Sequence, residues 1–386
     1  MIDLIREVGS RFHSSTPNMS YIHKVSGWPQ LIWDAAKLAS LLAEVRHRQG
    51  WLIGRMEGLG FSLRSEASLS TLTANIVKSS AIEGEILDEA QVRSSIARRL
   101  GLNVGGIVPT SRDVEGVVEM MLDALQHRTD TLSTERLFGW HALLFPAGRS
   151  GMRRITVGAW RPVEAGVMQV VSGPLGRERV HFEAPSAEKL EGEMAAFLEW
   201  LNTDGNADPV LKAGIAHFWF VTIHPFEDGN GRIGRAIADL MLARADGTSE
   251  RFYSMSAQIE AERKEYYLQL EHSQRGGLDI TGWLEWFLKC LGRAIERSGV
   301  ELSSVLRKAR HWDHINQEAV NERQRKVLNR IIDGFEGKLT TSKYAKIAKC
   351  SEDTALRDIQ ALISRDILVQ NQGGGRSTSY SLIANP

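Results

Sequence analysis

Apolar residues recur every three or four positions along most of the chain, which is the spacing of one face of an α-helix. The first such run follows Asp34, a residue that can cap a helix, and a Gly-Leu-Gly break at Gly58 to Gly60 separates it from a second run. The pattern predicts a mainly α protein. Further helices are expected near Asp88–Leu100, Arg112–His127, Ser133–Leu144, Pro185–Asn202, Asp208–Thr222, Gly231–Gly247 and Phe252–Glu271, with one or two more over Leu278–Ala309.

One stretch between the predicted helices has a β pattern. From Met168 to Phe182, β-branched residues lie on both sides of a Ser-Gly-Pro-Leu-Gly turn. This arrangement predicts a β-hairpin. An ordinary edge hairpin is the commoner meaning of such a stretch, and His181 at its edge is interpreted as structural.

The C-terminal part has a pattern of its own. Helices are expected over Asn321–Asp333, from Thr340 or Thr341 to Lys349, and from Ser351 onward, followed by two short strands around Gly373-Gly374-Gly375. Three helices and a Gly-tipped hairpin predict a winged helix-turn-helix. Residues 321–386 hold eleven Lys or Arg and seven Asp or Glu, a net charge of +4, but Glu352, Asp353 and Asp358 put acid on the expected recognition helix. DNA binding and a protein-docking or dimerising role both stay open.

Composition narrows the class of protein. The 386 residues are 42% hydrophobic and 24% charged with a formal net charge of zero, so nothing global indicates nucleic acid or a membrane surface. Cys290 and Cys350 are the only cysteines, which argues against a disulfide framework and a Cys-based zinc site. Met1 to Lys24 lacks the apolar core of a signal peptide, and no apolar run reaches the length of a membrane span. A cytoplasmic protein is expected.

The residues from Ile223 to Arg235 combine several features of a phosphate site. Glycines on both sides of Asn230 suit a loop that turns its N–H groups towards one point, and a helix is expected to begin near Gly231. Arg232 and Arg235 share one helix face and can reach the same polyphosphate. Asp228 is the type of ligand that magnesium prefers, and His224 is suited to general-base work. Each feature alone is ordinary, and there is no P-loop ending.

This run matches His-x-Phe-x-Asp-Gly-Asn-Gly-Arg-x-x-Arg at every position, so the chain resembles the Fic family. The resemblance implies a protein adenylyltransferase that uses ATP and Mg²⁺ to transfer AMP to a Ser, Thr or Tyr hydroxyl. It implies His224 as the catalytic base and Asp228 as the metal ligand. The nucleotide-binding residues would be Glu83, Gly229, Asn230, Gly231, Arg232, Ile233, Gly234 and Arg235.

A second motif lies upstream. Ser79, three residues, Glu83 and Gly84 fit the inhibitory motif of the family, in which the glutamate would pair with Arg235 and hold back the γ-phosphate. On its own the pattern is common, and Glu83 at a helix end is ordinarily solvated. The resemblance also makes the hairpin a flap that holds the protein substrate near Val170–Gly173. It places the Tyr266-Tyr267 pair near the nucleotide, although packing in the core is at least as common for such a pair.

The expected architecture is therefore a Fic-type helical core with a β-hairpin flap, an N-terminal helical module and a C-terminal winged helix-turn-helix. The predicted boundaries are 1–88, 89–315 and 316–386. The competing interpretation is a nucleotide-responsive, DNA-binding transcription regulator with a non-catalytic Fic-like domain. Automodification, AMP removal, homodimer formation and the identity of the protein target stay open.

Overall fold

The computed structural model describes residues 6–10, 21–102, 107–174, 177–203, 205, 207–315, 320–332, 335, 337–371 and 378–383. The chain divides into two compact units, Met1–Gly299 and Val300–Pro386. Helices dominate both, as predicted. Helices α1 to α11 are Ala35–Glu57, Phe61–Ile82, Glu89–Arg99, Arg112–Gln126, Thr134–Leu144, Leu190–Asn202, Pro209–Ile223, Asn230–Asp246, Met255–Ala261, Arg263–Gln274 and Thr281–Ile315.

The helix ends follow the predicted start and stop signals. The Asp34 carboxylate caps α1 by accepting a hydrogen bond from the Lys37 N–H at 2.9 Å, and α1 and α2 are separated at the predicted Gly-Leu-Gly break. One prediction was wrong: the stretch expected to be one helix over 252–271 is broken at Glu262 into α9 and α10. The Glu262 carboxylate is held there by Arg293 of α11, a contact that local periodicity does not encode.

Helices α7 and α8 form the centre of the first unit. Every residue of α7 from Val210 to Ile223 is buried except Lys212, and α8 is buried along most of its length. A Cβ atom at Gly234 would lie 2.8 Å from Val221 Cγ1, so the glycine permits close approach of the two helices. The apolar character of α7 on all sides fits this central position.

Helix α2 is fixed to α8 by a buried polar network. The Asn75 amide donates to the Asp239 carboxylate of α8 at 2.8 Å, and its carbonyl accepts from the Ser254 hydroxyl at 2.8 Å. The burial of Asp239 raises the pKa of its carboxyl group, although Arg251 and Asn75 oppose the shift. Buried polar groups satisfied in this way specify one arrangement of the helices. The network therefore sets where the C-terminal end of α2 lies relative to α8.

Strands β1 to β5 are Arg6–Ser10, Arg149–Ser150, Arg153–Arg154, Val167–Ser172 and Arg179–Glu183. The predicted hairpin is present as β4 and β5, which pair antiparallel with an irregularity between Val170 and Val171. Residues 175 and 176 of its turn lie outside the described residues. Strand β1 was not predicted, because nothing in the polar N-terminal sequence marks a strand; it extends the hairpin into a sheet of order β1-β4-β5.

The second unit contains the elements predicted for it. These are α12 (Glu322–Ile332), α13 (Thr341–Ala348), α14 (Glu352–Ile363), β6 (Leu368–Gln370) and β7 (Tyr380–Leu382). Thr340 and Ser351 cap α13 and α14. The Gly373–Gly375 tip lies outside the described residues. The winged-helix assignment and the three domain boundaries stay predictions.

Asp358 departs from its predicted place. It is only 7% exposed, and its carboxylate accepts from the Arg323 guanidinium at 3.0 Å and from the Asn321 amide at 3.2 Å. Of the three acids expected on the open face of α14, only Glu352 and Asp353 are exposed. The expected acidity of that face was therefore overstated. Among the described residues, no helix combines the length and the apolar character needed to cross a membrane.

Candidate active site

Helix α7 carries His224 at its C-terminal end. Pro209 begins the helix, and the Asp208 carboxylate caps it by accepting from the Val210 N–H at 2.8 Å. The helix ends at His224 in the left-handed region, with φ 54° and ψ 59°, and the His224 N–H donates to the Phe220 carbonyl at 3.0 Å. A residue with a Cβ atom pays about 1–2 kcal/mol for this conformation. Such strain concentrates at functional sites.

The hydrogen bond at Nδ1 determines which nitrogen of His224 can act as a base. Nδ1 lies 3.1 Å from the Val221 carbonyl oxygen, which can only accept, so Nδ1 carries the hydrogen. Nε2 then holds the lone pair of the neutral imidazole. The ring is buried, with 5% of its residue surface exposed. This is the form that a general base requires.

Arg161, which no sequence motif marks, holds the backbone around His224. Its Nε donates to the His224 carbonyl at 2.9 Å, its Nη2 donates to the Pro185 carbonyl, and its backbone N–H donates to the Pro225 carbonyl at 2.9 Å. Burial lowers the pKa of Arg161 to about 10, so the guanidinium remains charged at neutral pH. Within the described part of the chain, its buried Nη1 has no hydrogen-bond partner. These bonds stabilise the strained turn that presents the imidazole.

The Asn230 side chain fixes the loop between α7 and α8. Its Oδ1 accepts from the Phe226 N–H and its Nδ2 donates to the Phe226 carbonyl, each at 2.9 Å. The fully buried Phe226 ring stacks on His141 at 4.2 Å between centroids, and His141 Nε2 lies 3.2 Å from the Asp228 carbonyl. Burial lowers the pKa of His141 to about 4, so the ring is neutral at pH 7. The Asn230 side chain therefore shapes the predicted anion loop by fixing the backbone at Phe226.

The first turn of α8 lies against an acidic side chain. Gly229 precedes the helix with φ 83°, and the Ile233 N–H makes the first helical bond to the Gly229 carbonyl at 3.0 Å. A Cβ atom at Gly231 would lie 2.1 Å from Glu83 Oε1, so a carboxylate occupies the space beside this turn. The N-terminal N–H groups of a helix favour an anion. Ile233 is buried, and a Cβ atom at Gly234 would meet Val221, so nucleotide binding by these two residues stays a prediction.

Asp228 presents its carboxylate at the edge of the loop. Oδ1 accepts from the Gly229 N–H at 2.5 Å, and Oδ2 accepts from the Ser150 hydroxyl. Magnesium in nucleotide sites is held by one or two carboxylates together with substrate phosphates and water. One oriented carboxylate beside a loop predicted to bind phosphate fits that type of site. In the described ranges, no group of three or more His, Cys, Asp or Glu side chains gathers into a metal site of its own.

The predicted pairing of Glu83 with Arg235 is present in the structure. Glu83 Oε1 lies 2.7 Å from Arg235 Nη2, and Arg235 also donates from Nε to the Ser79 hydroxyl and from Nη2 to the Ser79 carbonyl, both at 2.9 Å. Arg235 is 2% exposed. Burial opposes its charge, but the adjacent Glu83 raises the pKa of the guanidinium above its usual value. The contacts therefore hold Arg235 in one position.

Glu85 holds the other arginine and was missed. Gly84 adopts φ 87° and ends α2 in a Schellman turn, with the Gly84 N–H bonded to Ala81 and the Glu85 N–H to Ser80. Glu85 Oε2 lies 2.5 Å from Arg232 Nη1. Although its side chain is 46% exposed, loss of water around its carboxyl group raises the pKa, with Arg232 opposing the shift. The sequence does contain a signal for this contact: Glu85 follows Glu83 by two residues, with Gly84 between them.

A cavity lies between His224 and the hairpin. The hairpin contributes Val170, His181 and Phe182, and α10 contributes Tyr266, Tyr267, Leu270, Glu271 and Gln274. His181 is not merely an edge residue: its two ring nitrogens lie 2.7 Å from the Ser172 hydroxyl and 2.7 Å from the Glu271 carboxylate. Glu83, Val221 and Gly231 complete the wall on the α7–α8 side. The cavity thus joins the imidazole, the helix N-terminus and an aromatic surface.

Comparison with known proteins matches the region of the chain that carries His224, Asp228 and both arginines. Residues 131–242 match the Fic/DOC family, and residues 21–102 match a domain of unknown function, DUF4172. The chain contains a Fic domain. It is 33% identical over 148 residues to protein adenylyltransferase fic-1 of Caenorhabditis elegans, covering 38% of this chain and 27% of that protein. It is 25% identical over 227 residues to protein adenylyltransferase Fic of Nematostella vectensis, covering 58% and 47%.

The chain therefore spans less than half of the length of these curated relatives. Among solved structures, a Fic family protein from Desulfovibrio desulfuricans G20 aligns with a TM-score of 0.49 at 23% identity, over 93% of this chain and 98% of that one. Fic-1 of C. elegans, residues 134–508, aligns with a TM-score of 0.47 at 20% identity, over 70% of this chain and 75% of that one.

Proposed function

We propose that the Fic domain transfers AMP from ATP to a Ser, Thr or Tyr hydroxyl of a protein. The main support is that His224 and Gly231, in the first turn of α8, line one cavity. Glu83 lines the same cavity and pairs with Arg235, and Arg232 lies on the same helix, where it pairs with Glu85. A phosphate chain at the helix N-terminus would meet N–H donors and two arginines, and its α-phosphorus would lie beside the base. The adenylyltransferase names of the relatives agree with this chemistry.

In the proposed reaction, the acceptor oxygen forms a bond to the α-phosphorus of ATP. The bond from that phosphorus to the oxygen bridging the β-phosphate breaks, and pyrophosphate leaves with the electron pair. The hydroxyl proton passes to Nε2 of His224, which holds the lone pair because Nδ1 donates to Val221. Transfer of this kind depends mainly on positioning and on stabilising charge. Arg161 contributes by fixing the backbone of His224.

Magnesium is the implied cofactor, and Asp228 is the residue that would hold it. Bound there, the ion would neutralise charge on the phosphates. The Ser150 hydroxyl and the Gly229 N–H orient the Asp228 carboxylate. Replacing Asp228 with alanine is expected to weaken nucleotide binding only when magnesium is present. An unchanged magnesium dependence of binding would contradict the assignment.

The cavity beside His224 is proposed to accept the nucleoside, and the hairpin to accept the protein substrate near Val170–Gly173. Tyr266 and Tyr267 provide an aromatic surface, and Glu271 and Gln274 add polar groups to the lining. Apolar and aromatic walls with a few polar groups are typical of small-molecule sites. Sheet edges bind extended peptides through main-chain hydrogen bonds.

Glu83 is proposed to keep this site in a resting state. Its carboxylate lies against Gly231 and pairs with Arg235, where a terminal phosphate of ATP would otherwise bind. ATP bound in its presence would be displaced, and an error of about 1 Å can cost roughly a hundred-fold in rate. The same carboxylate can orient water, so removal of AMP from modified protein is proposed as a second activity of the resting form.

The transferase proposal is tested with α-labelled ATP and magnesium. Wild type and Glu83→Gly are expected to incorporate label, and His224→Ala is expected to lose it by roughly a hundred- to ten-thousand-fold, the usual contribution of a general base. Equilibrium ATP binding should survive in His224→Ala, because the helix N-terminus and both arginines remain. Near wild-type labelling by His224→Ala would remove His224 from the mechanism.

The same experiment addresses the transcription-regulator alternative. Label-free protein in every variant, together with tight sequence-specific DNA binding, would support a non-catalytic Fic-like domain. The inward position of Asp358 makes the exposed face of α14 less acidic than expected, so DNA binding by the second unit stays open. A cytoplasmic location and a homodimer likewise stay predictions.

A further inference from the structure

The hairpin beside the cavity carries a third strand from the N-terminal part of the chain. Strand β1 pairs antiparallel with β4, and β5 pairs with the opposite side of β4. The register sets position 7 opposite Val170, position 9 opposite Met168 and position 10 opposite Val167. Both sides of β4 are therefore occupied. The strand beside the candidate active site already holds an extended segment along its outer edge.

The centre of β4 borders the active site. Val170 lines the cavity that His224 and Glu83 also line, whereas its neighbour Gln169 is not part of that lining. An acceptor hydroxyl has to come within about 3 Å of the base. In any strand that pairs with β4 in this register, the residue opposite Val170 lies closest to the cavity. Position 7 in β1 is thus the position at which a substrate would present its hydroxyl.

The sequence of β1 lacks an acceptor at this place. Residues 6 to 9 are Arg, Glu, Val and Gly, and the first hydroxyl, at Ser10, is paired with Val167. Three residues along a strand correspond to roughly 10 Å. Main-chain pairing accepts many sequences, so a segment without a hydroxyl can occupy the edge as readily as one that has it.

We infer that β1 is an internal occupant of the docking edge for the protein substrate, and that the substrate pairs with β4 as an extended segment with a Ser, Thr or Tyr opposite Val170. This inference rests on the proposed transferase function. A tethered segment competes at an effective concentration in the millimolar range. A strand of five residues is weak enough to be displaced. The N-terminal segment would then limit access of protein substrates without affecting ATP.

The first test converts the occupant into a substrate. In a Glu83→Gly background, Glu7→Tyr is expected to acquire AMP on residue 7, detected by mass spectrometry of the N-terminal peptide. Val8→Tyr is the matched control, because position 8 is paired with Gln169, and it is expected to carry at least ten-fold less AMP. Equal modification of both positions, or none at residue 7 while other sites are labelled, would overturn the register. No label on any protein would instead contradict the transferase proposal.

The second test removes the occupant. The probe is a synthetic peptide matching residues 1–12 with the Glu7→Tyr change. Deleting residues 1–10 from the Glu83→Gly protein is expected to lower the KM for this peptide about ten-fold and to leave the KM for ATP unchanged. Amide hydrogen exchange of Val167–Val171 should accelerate in the truncated protein and slow again with saturating peptide. An unchanged peptide KM and unchanged exchange would show that β1 does not cover the edge in solution.

Discussion

The two arginines of the Fic motif are both held by glutamates from the end of α2, but in different surroundings. Arg235 is 2% exposed and Glu83 is 24% exposed, and two bonds to Ser79 add to their ion pair. Arg232 is equally buried, but its partner Glu85 is 46% exposed. Exposed ion pairs contribute little, whereas breaking a buried pair leaves a charge without compensation. The Glu83–Arg235 pair therefore restrains its arginine more strongly than the Glu85–Arg232 pair does.

A single turn produces both pairs. Gly84 reverses the chain in its left-handed conformation, so that glutamates two residues apart reach arginines three residues apart on α8. The difference between the pairs lies in depth: Glu83 lies against the first turn of α8 at Gly231, and Glu85 lies farther out. We expect Glu83 to determine whether the phosphates are placed productively, and Glu85 to tune nucleotide affinity.

Of the two pairs, the larger effect is expected from removing the deeper carboxylate. Glu83→Gly should raise AMP transfer about ten-fold or more, equivalent to about 1.4 kcal/mol in the barrier, because the Arg235 fork becomes available to phosphate. Automodification with α-labelled ATP measures the effect. Glu57→Gly, which changes a glutamate at the end of α1 that is exposed, is the matched control and should leave labelling unchanged. Equal labelling by all three proteins would leave Glu83 as an ordinary helix-end residue.

A smaller effect is expected at the outer pair. Glu85→Gln keeps the shape of the side chain but removes its charge, and an exposed pair of this kind contributes about 0.2–1 kcal/mol. ATP affinity should rise about two- to five-fold, with transfer at saturating ATP nearly unchanged. Calorimetry at low and high salt distinguishes the two pairs, since the advantage of Glu85→Gln should shrink as salt rises. A gain as large as that of Glu83→Gly would show that depth does not separate them.

The site residues that could be predicted from the sequence are those that lie close together along the chain. His224, Asp228 and both arginines lie within twelve residues, and their spacing on a helix follows from the motif alone. The Glu83 pairing was also anticipated, through its motif. Arg161 was not, because its bond to His224 joins residues 63 apart, and only tertiary packing brings them together.

The same limit applies to the fold. Most helices were predicted from periodicity and capping residues, whereas β1 and the break at Glu262 were not. β1 exists because the edge of β4 accepts it, and the break is held by Arg293 from another helix. Asn230 illustrates an intermediate case: its position was predicted, but its side chain serves the Phe226 backbone.

A pH comparison sharpens the contrast further. The pKa of Glu85 is raised, so its charge is complete well above that pKa and is lost as the pH falls through it. The affinity advantage of Glu85→Gln over wild type should therefore be greatest at pH 7–8 and should shrink towards the ordinary carboxyl range near pH 4–5. Comparing the two proteins at each pH cancels the titration of ATP itself. An advantage that grows on acidification would contradict the assigned direction.

The smallest effect is expected from removing the second unit. All of the site residues lie within Met1–Gly299, and the described residues that line the cavity belong to that unit. A protein that ends at residue 318 should therefore bind ATP and label itself within about two-fold of the full chain. The ratio of Glu83→Gly to wild-type labelling should also be unchanged, because that ratio reflects only contacts between α2 and α8. A changed ratio in a folded, ATP-binding protein would mean that the second unit acts on the Glu83–Arg235 pair, and loss of soluble protein would mean that the first unit needs it to fold.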